Sequence, residues 1–155
     1  MTPFEKAELF SNYLSEMFPG RFDSTIKPYL KLKSASVDPS DPSLARLIYT
    51  LHIHPSLCNG GANLHGGAVA LIFDMCTSMA IGCVAREGFW DSGHVSRSLN
   101  CTYLRPAAEG TDVSVEVETV HLGKKMALTR GVIRNGQGKV CYTCEHDKAS
   151  LGPSL

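Results

Sequence analysis

The fold is decided by residues 59–87, which read NGGANLHGGAVALIFDMCTSMAIGCVARE. The stretch begins with turn-forming residues that a helix disfavours, and from Gly66 it runs for about twenty residues without proline and with little polarity. This pattern predicts a loop that leads into one long helix. Apolar residues fall on every side of that helix, so we expect other structure to enclose it.

Asp74 interrupts this apolar helix. An ionised carboxylate removed from water costs several kcal/mol unless it is paired or lies in a polar cavity. Asp74 is therefore either a functional group in a polar site or a structural carboxylate satisfied by backbone donors.

The segments on either side predict a sheet. Residues 5–18 carry apolar residues at helical spacing and end at Pro19-Gly20, which predicts a peripheral helix. Strands separated by short turns are predicted at residues 29–37, where the alternation slips once, and at 44–53, 95–104, 111–122, 126–134 and 139–148. This order predicts an α+β fold in which a curved, antiparallel six-stranded sheet wraps around the central helix, with an extra N-terminal helix.

Length and charge limit the interpretation. The 155 residues show no break in composition, which predicts one domain over residues 1–155, with an N-terminal helical extension at 1–28 and a core at 29–151. Fifteen basic and fifteen acidic residues without long runs argue against a nucleic-acid partner. Asp74 within the longest apolar stretch argues against membrane insertion.

Compartment is predicted from the N-terminus and the cysteines. Glu5 and Glu8 come early and no apolar h-region is present, which argues against a signal peptide. The six cysteines lie mostly within apolar segments without the spacing of a disulfide framework. We therefore expect a cytoplasmic protein, with the mitochondrial matrix as the alternative.

No metal site and no bound cofactor are predicted. Cys141 and Cys144 form a single CxxC pair whose side chains would point to opposite faces of a strand, and His52 and His54 lack an accompanying carboxylate or cysteine. The chain also contains no phosphate loop and no glycine-rich dinucleotide turn.

Gly66 lies where the loop becomes the helix. Its N–H has no partner within the helix and lies at the positive end of the helix dipole, which predicts a site that polarises a carbonyl or stabilises an oxyanion. The alternative is that Gly66 and Gly67 only permit close packing of the helix.

Asp74 follows Gly66 by eight residues, or roughly 12 Å along a helix axis. One chain cannot easily bring both groups to one carbonyl. If they cooperate, Asp74 must come from a second subunit whose helix lies antiparallel to the first, so a two-fold dimer is the minimal active unit. Asp74 would then act as a general base on water or as a nucleophile, and the sequence leaves both roles open.

Three strings extend this interpretation, namely residues 59–81, residues 95–107 (VSRSLNCTYLRPA) and residues 121–133 (HLGKKMALTRGVI). In this order they resemble the hotdog-fold acyl-CoA thioesterases of the phenylacetate-pathway type and their animal relatives, the thioesterase superfamily members. The resemblance covers residues 29–151, and residues 1–25 and the longer loop 87–93 lie outside it. It implies hydrolysis of an acyl-CoA to free acid and CoA, by a homodimer or homotetramer with sites at the dimer interface.

The resemblance also implies roles for further residues. Ser96 would orient the hydrolytic water together with Asp74, while Asn59 and His65 would hold the thioester carbonyl or assist the leaving thiolate. Strand alternation places Ser96 on the same face as Ser98, so a bulge or an edge position is needed if Ser96 approaches the helix. The alternatives are an ordinary polar strand face, an Asx turn at Asn59 and a helix-entry bond at His65.

Residues that would bind the substrate and its CoA follow from the same resemblance. Arg105, Lys124 and Lys125 are candidates to meet the phosphates. The full set is Gly67, Ser98, Tyr103, Arg105, Pro106, Gly123, Lys124 and Lys125. Phe89 and Trp90, in the longer loop, either line an acyl pocket or form a surface aromatic pair.

Two other functions fit the same pattern. The enzyme would instead hydrolyse an acyl or polyketide chain bound to a carrier protein, or the chain would be a non-catalytic hotdog protein that binds acyl thioesters. Asp74 disfavours the non-catalytic function, and one fold hosts several functions.

Overall fold

A computed structural model of the protein describes residues 1–152, and the last residues of the predicted domain, 153–155, lie outside the described part. The two α-helices are α1 (Pro3–Met17) and α2 (Gly66–Val84). The strands are β1 (Leu30–Val37), β2 (Ala45–His52), β3 (His94–Tyr103), β4 (Asp112–Leu122), β5 (Met126–Arg134) and β6 (Val140–Ser150). Short 3-10 turns lie at Phe22–Thr25, Lys27–Tyr29 and Pro55–Leu57.

The strands form one antiparallel sheet in the order β1-β2-β4-β5-β6-β3. The predicted α+β class and order of elements are confirmed, and the predicted bounds of α1 and of the strands fall within two residues of the observed ones. The slip expected in the first strand is a β-bulge between Leu32 and Ser34. The edge strands are β1 and β3, so β3 has a free edge that β6 does not cover.

The long helix α2 packs on the inner face of the sheet, where it contacts β2 to β6. Its residues Val69, Ile72, Phe73 and Ile81 are completely buried. By length and composition α2 could cross a membrane, but its burial in the core accounts for its apolar sequence.

The expectation that α2 is enclosed on every side is wrong. Asp74, Met75, Ser78 and Met79 are only half-buried. The sheet covers one side of α2, while α1 lies against the opposite side near its C-terminal half, where Phe10 meets Gly82. A partly open stripe therefore remains on α2, and Asp74 lies in it.

The start of α1 is fixed by a capping box. The Thr2 hydroxyl accepts a hydrogen bond from the Glu5 N–H (3.2 Å), and the Glu5 carboxylate accepts one from the Thr2 N–H (2.7 Å). Pro3 occupies the first helical position, where its missing N–H costs nothing. This cap explains why the helix begins two residues before the predicted start.

Gly131 on β5 tests how closely α2 approaches the sheet. A Cβ at this position would lie 2.6 and 2.7 Å from two ring carbons of Phe73 and 3.0 Å from the Cys144 sulfur. We predict that Gly131→Ala lowers the free energy of unfolding by about 1–3 kcal/mol, because buried Phe73 cannot move without disturbing the core. Urea unfolding measures this change, with Gly136→Ala as the control because nothing lies within 4 Å of a Cβ there. Equal stability of the two variants would contradict the close approach.

Candidate active site

Asp74 belongs to a cluster of polar side chains between α2 and the strands β3 and β6. Its carboxylate Oδ1 lies 3.7 Å from Nε2 of His146 and 3.8 Å from Nζ of Lys148. The Asp74 side chain is 45% exposed, whereas those of His146 and Lys148 are 0% and 4% exposed. Within residues 1–152 no backbone N–H donates to this carboxylate, so the structural alternative for Asp74 finds no support.

Hydrogen bonds define the tautomer of His146. The Thr77 hydroxyl donates to the Phe73 carbonyl oxygen (2.6 Å), so its oxygen accepts from Nδ1 of His146 (2.7 Å). In the neutral ring this leaves Nε2 as an acceptor, and the Ser96 hydroxyl lies 2.7 Å from it. The Ser96 O–H therefore donates to His146, and the lone pairs of the Ser96 oxygen remain available to a water molecule.

A bulge in β3 brings Ser96 into this cluster. The register of β3 against β6 shifts between Ser96 and Ser98. Ser96 pairs with Lys148, whose side chain is buried on the face toward α2. Ser98 pairs with Asp147, which lies between the buried residues His146 and Lys148 and therefore points to the opposite face. The bulge is the feature that Ser96 was expected to require. It also places the predicted substrate residue Ser98 on the outer face of the sheet, away from Asp74.

Lys148 contributes a buried positive charge. Its ammonium group donates to the Ser78 hydroxyl (2.8 Å), which itself donates to the Asp74 carbonyl oxygen (2.7 Å). Burial lowers the pKa of Lys148, and the negative charge of Asp74 opposes that shift. The two charges compensate one another at the edge of the core.

Two histidines near this cluster are held neutral. Burial, followed by the charge of Lys148, lowers the pKa of His146 from 6.5 to about 4, against the opposing effect of Asp74. Burial, Lys148 and His146 lower the pKa of His94 to about 4 as well. Nδ1 of His94 is buried and has no hydrogen-bond partner in the described part of the chain, and the His94 ring lies against Trp90 with centroids 5.9 Å apart.

The analysis of the sequence missed His94, His146 and Lys148. A signal was present for two of them, because Cys144, His146 and Lys148 alternate along β6 and Cys144 identifies their shared face as the buried one. His94 begins β3 and carried no comparable pattern.

Gly66 lies at the other end of the candidate site, at the first position of α2. Among the described residues no acceptor meets its N–H, as the predicted carbonyl site requires. His65 is the N-cap residue, and its Nδ1 accepts a hydrogen bond from the Gly67 N–H (2.8 Å). The helix-entry bond considered for His65 is therefore present, and it uses the N–H of Gly67. The Tyr103 hydroxyl donates to the Gly66 carbonyl oxygen (2.7 Å) and so joins the end of β3 to the start of α2.

Asn59 and Arg105 lie at this same end. Oδ1 of Asn59 accepts from the N–H groups of Gly61 (3.0 Å) and Asn63 (3.2 Å), which is the Asx turn considered as its alternative role. Arg105 is exposed and donates to the Val140 carbonyl oxygen (2.9 Å), and the neighbouring Pro106 is exposed as well.

The turn that contains Gly123, Lys124 and Lys125 lies at the Asp74 end of the sheet. The Lys125 carbonyl oxygen accepts from the N–H of Ser150, beside the start of β3. The Trp90 indole N–H donates to the Gly123 carbonyl oxygen (2.7 Å). Trp90 is 4% exposed, so the alternative of a surface aromatic pair is wrong for this residue.

One chain therefore carries two separate groups of predicted site residues. Asp74 and Ser96 lie together with the turn at residues 123–125, while Gly66, His65, Asn59, Tyr103, Arg105 and Pro106 lie at the start of α2. The groups are roughly 12 Å apart along the α2 axis. The catalytic and substrate-binding roles of all these residues stay predictions.

Sequence comparison decides the family. The sequence model of the thioesterase superfamily matches residues 61–142, more than half of the chain. The chain belongs to the thioesterase superfamily. It is 29% identical to acyl-coenzyme A thioesterase 13 of Homo sapiens over 104 residues, which cover 66% of this chain and 71% of that protein. It is 35% identical to the proofreading thioesterase EntH of Klebsiella pneumoniae over 89 residues, which cover 57% and 62% of the two chains.

Solved structures of this superfamily share the fold. Zebra fish thioesterase superfamily member 2 superimposes with a TM-score of 0.79 at 23% identity and covers 97% of this chain and 99% of its own. The mouse thioesterase superfamily member 2 gives a TM-score of 0.74 at 25% identity, with 92% and 96% covered. The Escherichia coli PaaI protein gives 0.75 at 18% identity, with 99% of each chain covered. The predicted hotdog fold and family are confirmed.

The pKa of His146 predicts how the stability of this superfamily member depends on pH. The unfolded chain binds a proton at His146 near pH 6.5 and the folded chain only near pH 4, so unfolding takes up a proton between these values. The stabilisation from neutral His146 is complete above pH 6.5 and is lost as the pH falls toward 4. We expect one histidine to contribute a slope of up to about 1.4 kcal/mol per pH unit.

Denaturant unfolding at several pH values measures this slope. His146→Gln should reduce the slope by the contribution of one histidine and leave that of His94, while Ser96→Ala, which keeps both imidazoles, should retain the full slope. An unchanged slope in His146→Gln would show that the ring is protonated in the folded protein.

Proposed function

We propose that the protein hydrolyses an acyl-CoA thioester to a free acid and CoA. The observation that carries the proposal is the half-exposed Asp74 carboxylate beside the hydrogen-bonded chain Ser96–His146–Thr77, in a member of the thioesterase superfamily. The relative named acyl-coenzyme A thioesterase 13 supports CoA as the thiol.

In the proposed reaction a water molecule donates one hydrogen bond to Ser96 and its other proton to Asp74. Nε2 of neutral His146 accepts a hydrogen bond from the Ser96 O–H, so the serine oxygen is left to accept from the water and orients it. The water oxygen attacks the thioester carbon, and the Gly66 N–H stabilises the oxyanion. The C–S bond then breaks, and the proton held by Asp74 passes to the CoA sulfur. Attack by Asp74 itself, through a mixed anhydride, is the other route.

We further propose that the active unit is a dimer formed through β3. This strand has a free edge, and Val95, Tyr103 and Leu104 are 47%, 51% and 61% exposed. Edges of this kind pair readily with another strand. Two copies of β3 paired antiparallel about a two-fold axis bring the Gly66 end of one chain to the Asp74 end of the other. A tetramer of two such dimers is compatible with the same pairing.

This pairing also gathers the proposed CoA residues. Arg105 lies at the Gly66 end of one chain, and Lys124 and Lys125 lie at the Asp74 end of the other, so the three cations surround one composite site. Such cations meet phosphate groups through charge-assisted hydrogen bonds.

We propose that the protein is a cytoplasmic enzyme of fatty acid metabolism. This proposal is consistent with an aliphatic acyl-CoA as its substrate.

The proposal predicts the behaviour of two variants. Asp74→Asn should lower kcat/KM for acyl-CoA at least about a hundredfold, because the base is lost. Gly66→Pro removes the N–H at a position that tolerates the proline ring, since proline suits the first helical position and His65 (φ −64°, ψ 138°) has the backbone that precedes proline. We expect a loss of about a hundredfold or more.

Release of free CoA thiol from acetyl-, octanoyl-, palmitoyl- and phenylacetyl-CoA measures the rates. Gly66→Ala is the matched control, because it keeps the N–H and its Cβ lies an ordinary 3.6 Å from Tyr103. Full activity of Asp74→Asn would exclude the mechanism. Absence of hydrolysis by the wild type would redirect the proposal to carrier-protein thioesters or to a binding function.

The shared site predicts complementation between inactive chains. Asp74→Asn and Gly66→Pro chains, co-expressed with different tags and purified through both, should form dimers in which one of the two sites is intact. We expect recovery of up to about half of the wild-type rate. The same procedure with two Asp74→Asn chains is the control. If the mixed dimers stay inactive, the two groups do not act across subunits.

A further inference from the structure

A cavity of about 660 Å³ lies between α1, the segment that follows it and α2. Its apolar walls come from Leu14 and Phe18 on one side, from Phe22 in the first 3-10 turn, and from Met75 and Met79 of α2. Phe18 and Phe22 are 49% and 72% exposed, so large aromatic surfaces line the cavity without being packed into the core. A volume of this size is typical of ligand sites.

The cavity begins next to the candidate carboxylate. Met75 directly follows Asp74, and Met79 directly follows Ser78, so both lie beside the open stripe of α2 that carries Asp74. Asp23, which lines the cavity, is close enough to feel that charge, because burial first and Asp74 second raise the pKa of its carboxyl. A molecule whose reacting carbon lies at Asp74 would therefore meet the cavity immediately.

Two cations, Arg21 and Lys27, line the cavity, and Lys27 is held by hydrogen bonds. The Lys27 ammonium group donates to the Ser11 carbonyl oxygen (2.6 Å), the Ser11 hydroxyl (3.1 Å) and the Ser15 hydroxyl. An apolar ligand that lies against Lys27 would thus leave this ammonium group with its hydrogen bonds.

A second cavity, of about 500 Å³, lies on the other side of α1. Its α2 residue is Gly82, eight residues beyond Asp74 and roughly 12 Å along the axis. Lys6, Arg86, Glu87 and Asp91 are among its lining residues. Charged residues line both cavities, and it is the separation from Asp74 that makes the second one the poorer match for an acyl chain.

We propose that the first cavity binds the acyl chain, and that the substrate is a medium- or long-chain aliphatic thioester rather than an acetyl-sized one. This inference rests on the proposed function. Methionine side chains adapt to flexible aliphatic ligands. Leu14, Phe18 and Phe22 precede residue 61, where the superfamily match begins, so the preference for chain length belongs to the N-terminal segment of this protein.

Chain-length profiles test the inference. For the wild type we expect kcat/KM to rise from acetyl- through butyryl- and octanoyl- to dodecanoyl-CoA, by up to about fourfold per methylene group buried. Leu14→Trp fills the cavity and should abolish this rise while leaving the rate with acetyl-CoA unchanged. Leu9→Trp is the matched control, because Leu9 lies on the same helix but lines the second cavity.

A less disruptive variant distinguishes an effect on the cavity from a loss of folding. Phe22 is largely exposed, so Phe22→Ala should keep the thermal midpoint of the wild type while lowering kcat/KM for dodecanoyl-CoA several-fold and leaving acetyl-CoA unaffected. A loss of activity with both substrates in a folded variant would contradict a role in the acyl pocket.

Binding separates this inference from the proposed reaction. Calorimetry with non-hydrolysable butyl- and dodecyl-CoA thioethers should show tighter binding of the longer chain in the wild type and in Leu9→Trp, but not in Leu14→Trp. Chain-dependent binding without hydrolysis would overturn the proposed function and retain the cavity. Binding without chain dependence, or dependence lost only in Leu9→Trp, would overturn the inference.

Discussion

The packing of α2 on one face of the sheet is the constraint on which the rest of the structure depends. Burial of residues such as Ile72, Phe73 and Ile81 supplies the main apolar contact between the two layers. Because a single sheet covers only one side of a helix, the opposite stripe must be partly covered by other elements. In this chain α1 covers part of it and Asp74 occupies an open part. The same packing that builds the core thus leaves a carboxylate with access to water.

Burial of the polar groups around Asp74 costs free energy, and hydrogen bonds and ion pairs among these groups offset that cost. Lys148 and His146 are almost inaccessible to water, and each has a hydrogen-bond partner on α2, Ser78 and Thr77 respectively. A buried polar network is favourable only when its members are satisfied, since an unpaired group costs the full desolvation penalty. Near this network, Nδ1 of His94 finds no hydrogen-bond partner among residues 1–152. We interpret the network as a support that fixes the position of Ser96 and leaves the lone pairs of its oxygen available to a water molecule.

The sequence predicted the elements well and the site only in part. Periodicity and turn residues located the strands and the long helix, because each lies between clear breakers and presents a regular buried face. It also singled out Gly66 and Asp74, whose catalytic roles stay predictions, because both depart from the residues expected in a buried helix. It missed His146 and Lys148, because a charged or polar residue on a strand signals a solvent face until its register is known. The open stripe of α2 could not be predicted, because it depends on which other elements leave that side of the helix uncovered. The sequence of α2 alone does not contain this information.

The distance between Gly66 and Asp74 along α2 limits how the two groups can act together. Because α2 is rigid, the two groups cannot approach one another within a chain. Of the two edge strands, β3 is the one that reaches both groups, since Tyr103 bonds Gly66 and Ser96 bonds His146. The cavity beside Met75 and Met79 lies on the Asp74 side, so in the proposed two-fold dimer the chain that supplies Asp74 also supplies the proposed acyl cavity, while its partner supplies the Gly66 N–H. Recognition of the acyl chain and stabilisation of the oxyanion then come from different subunits. If both proposals hold, substitutions in the N-terminal segment change the chain preference without altering the helix entry at Gly66.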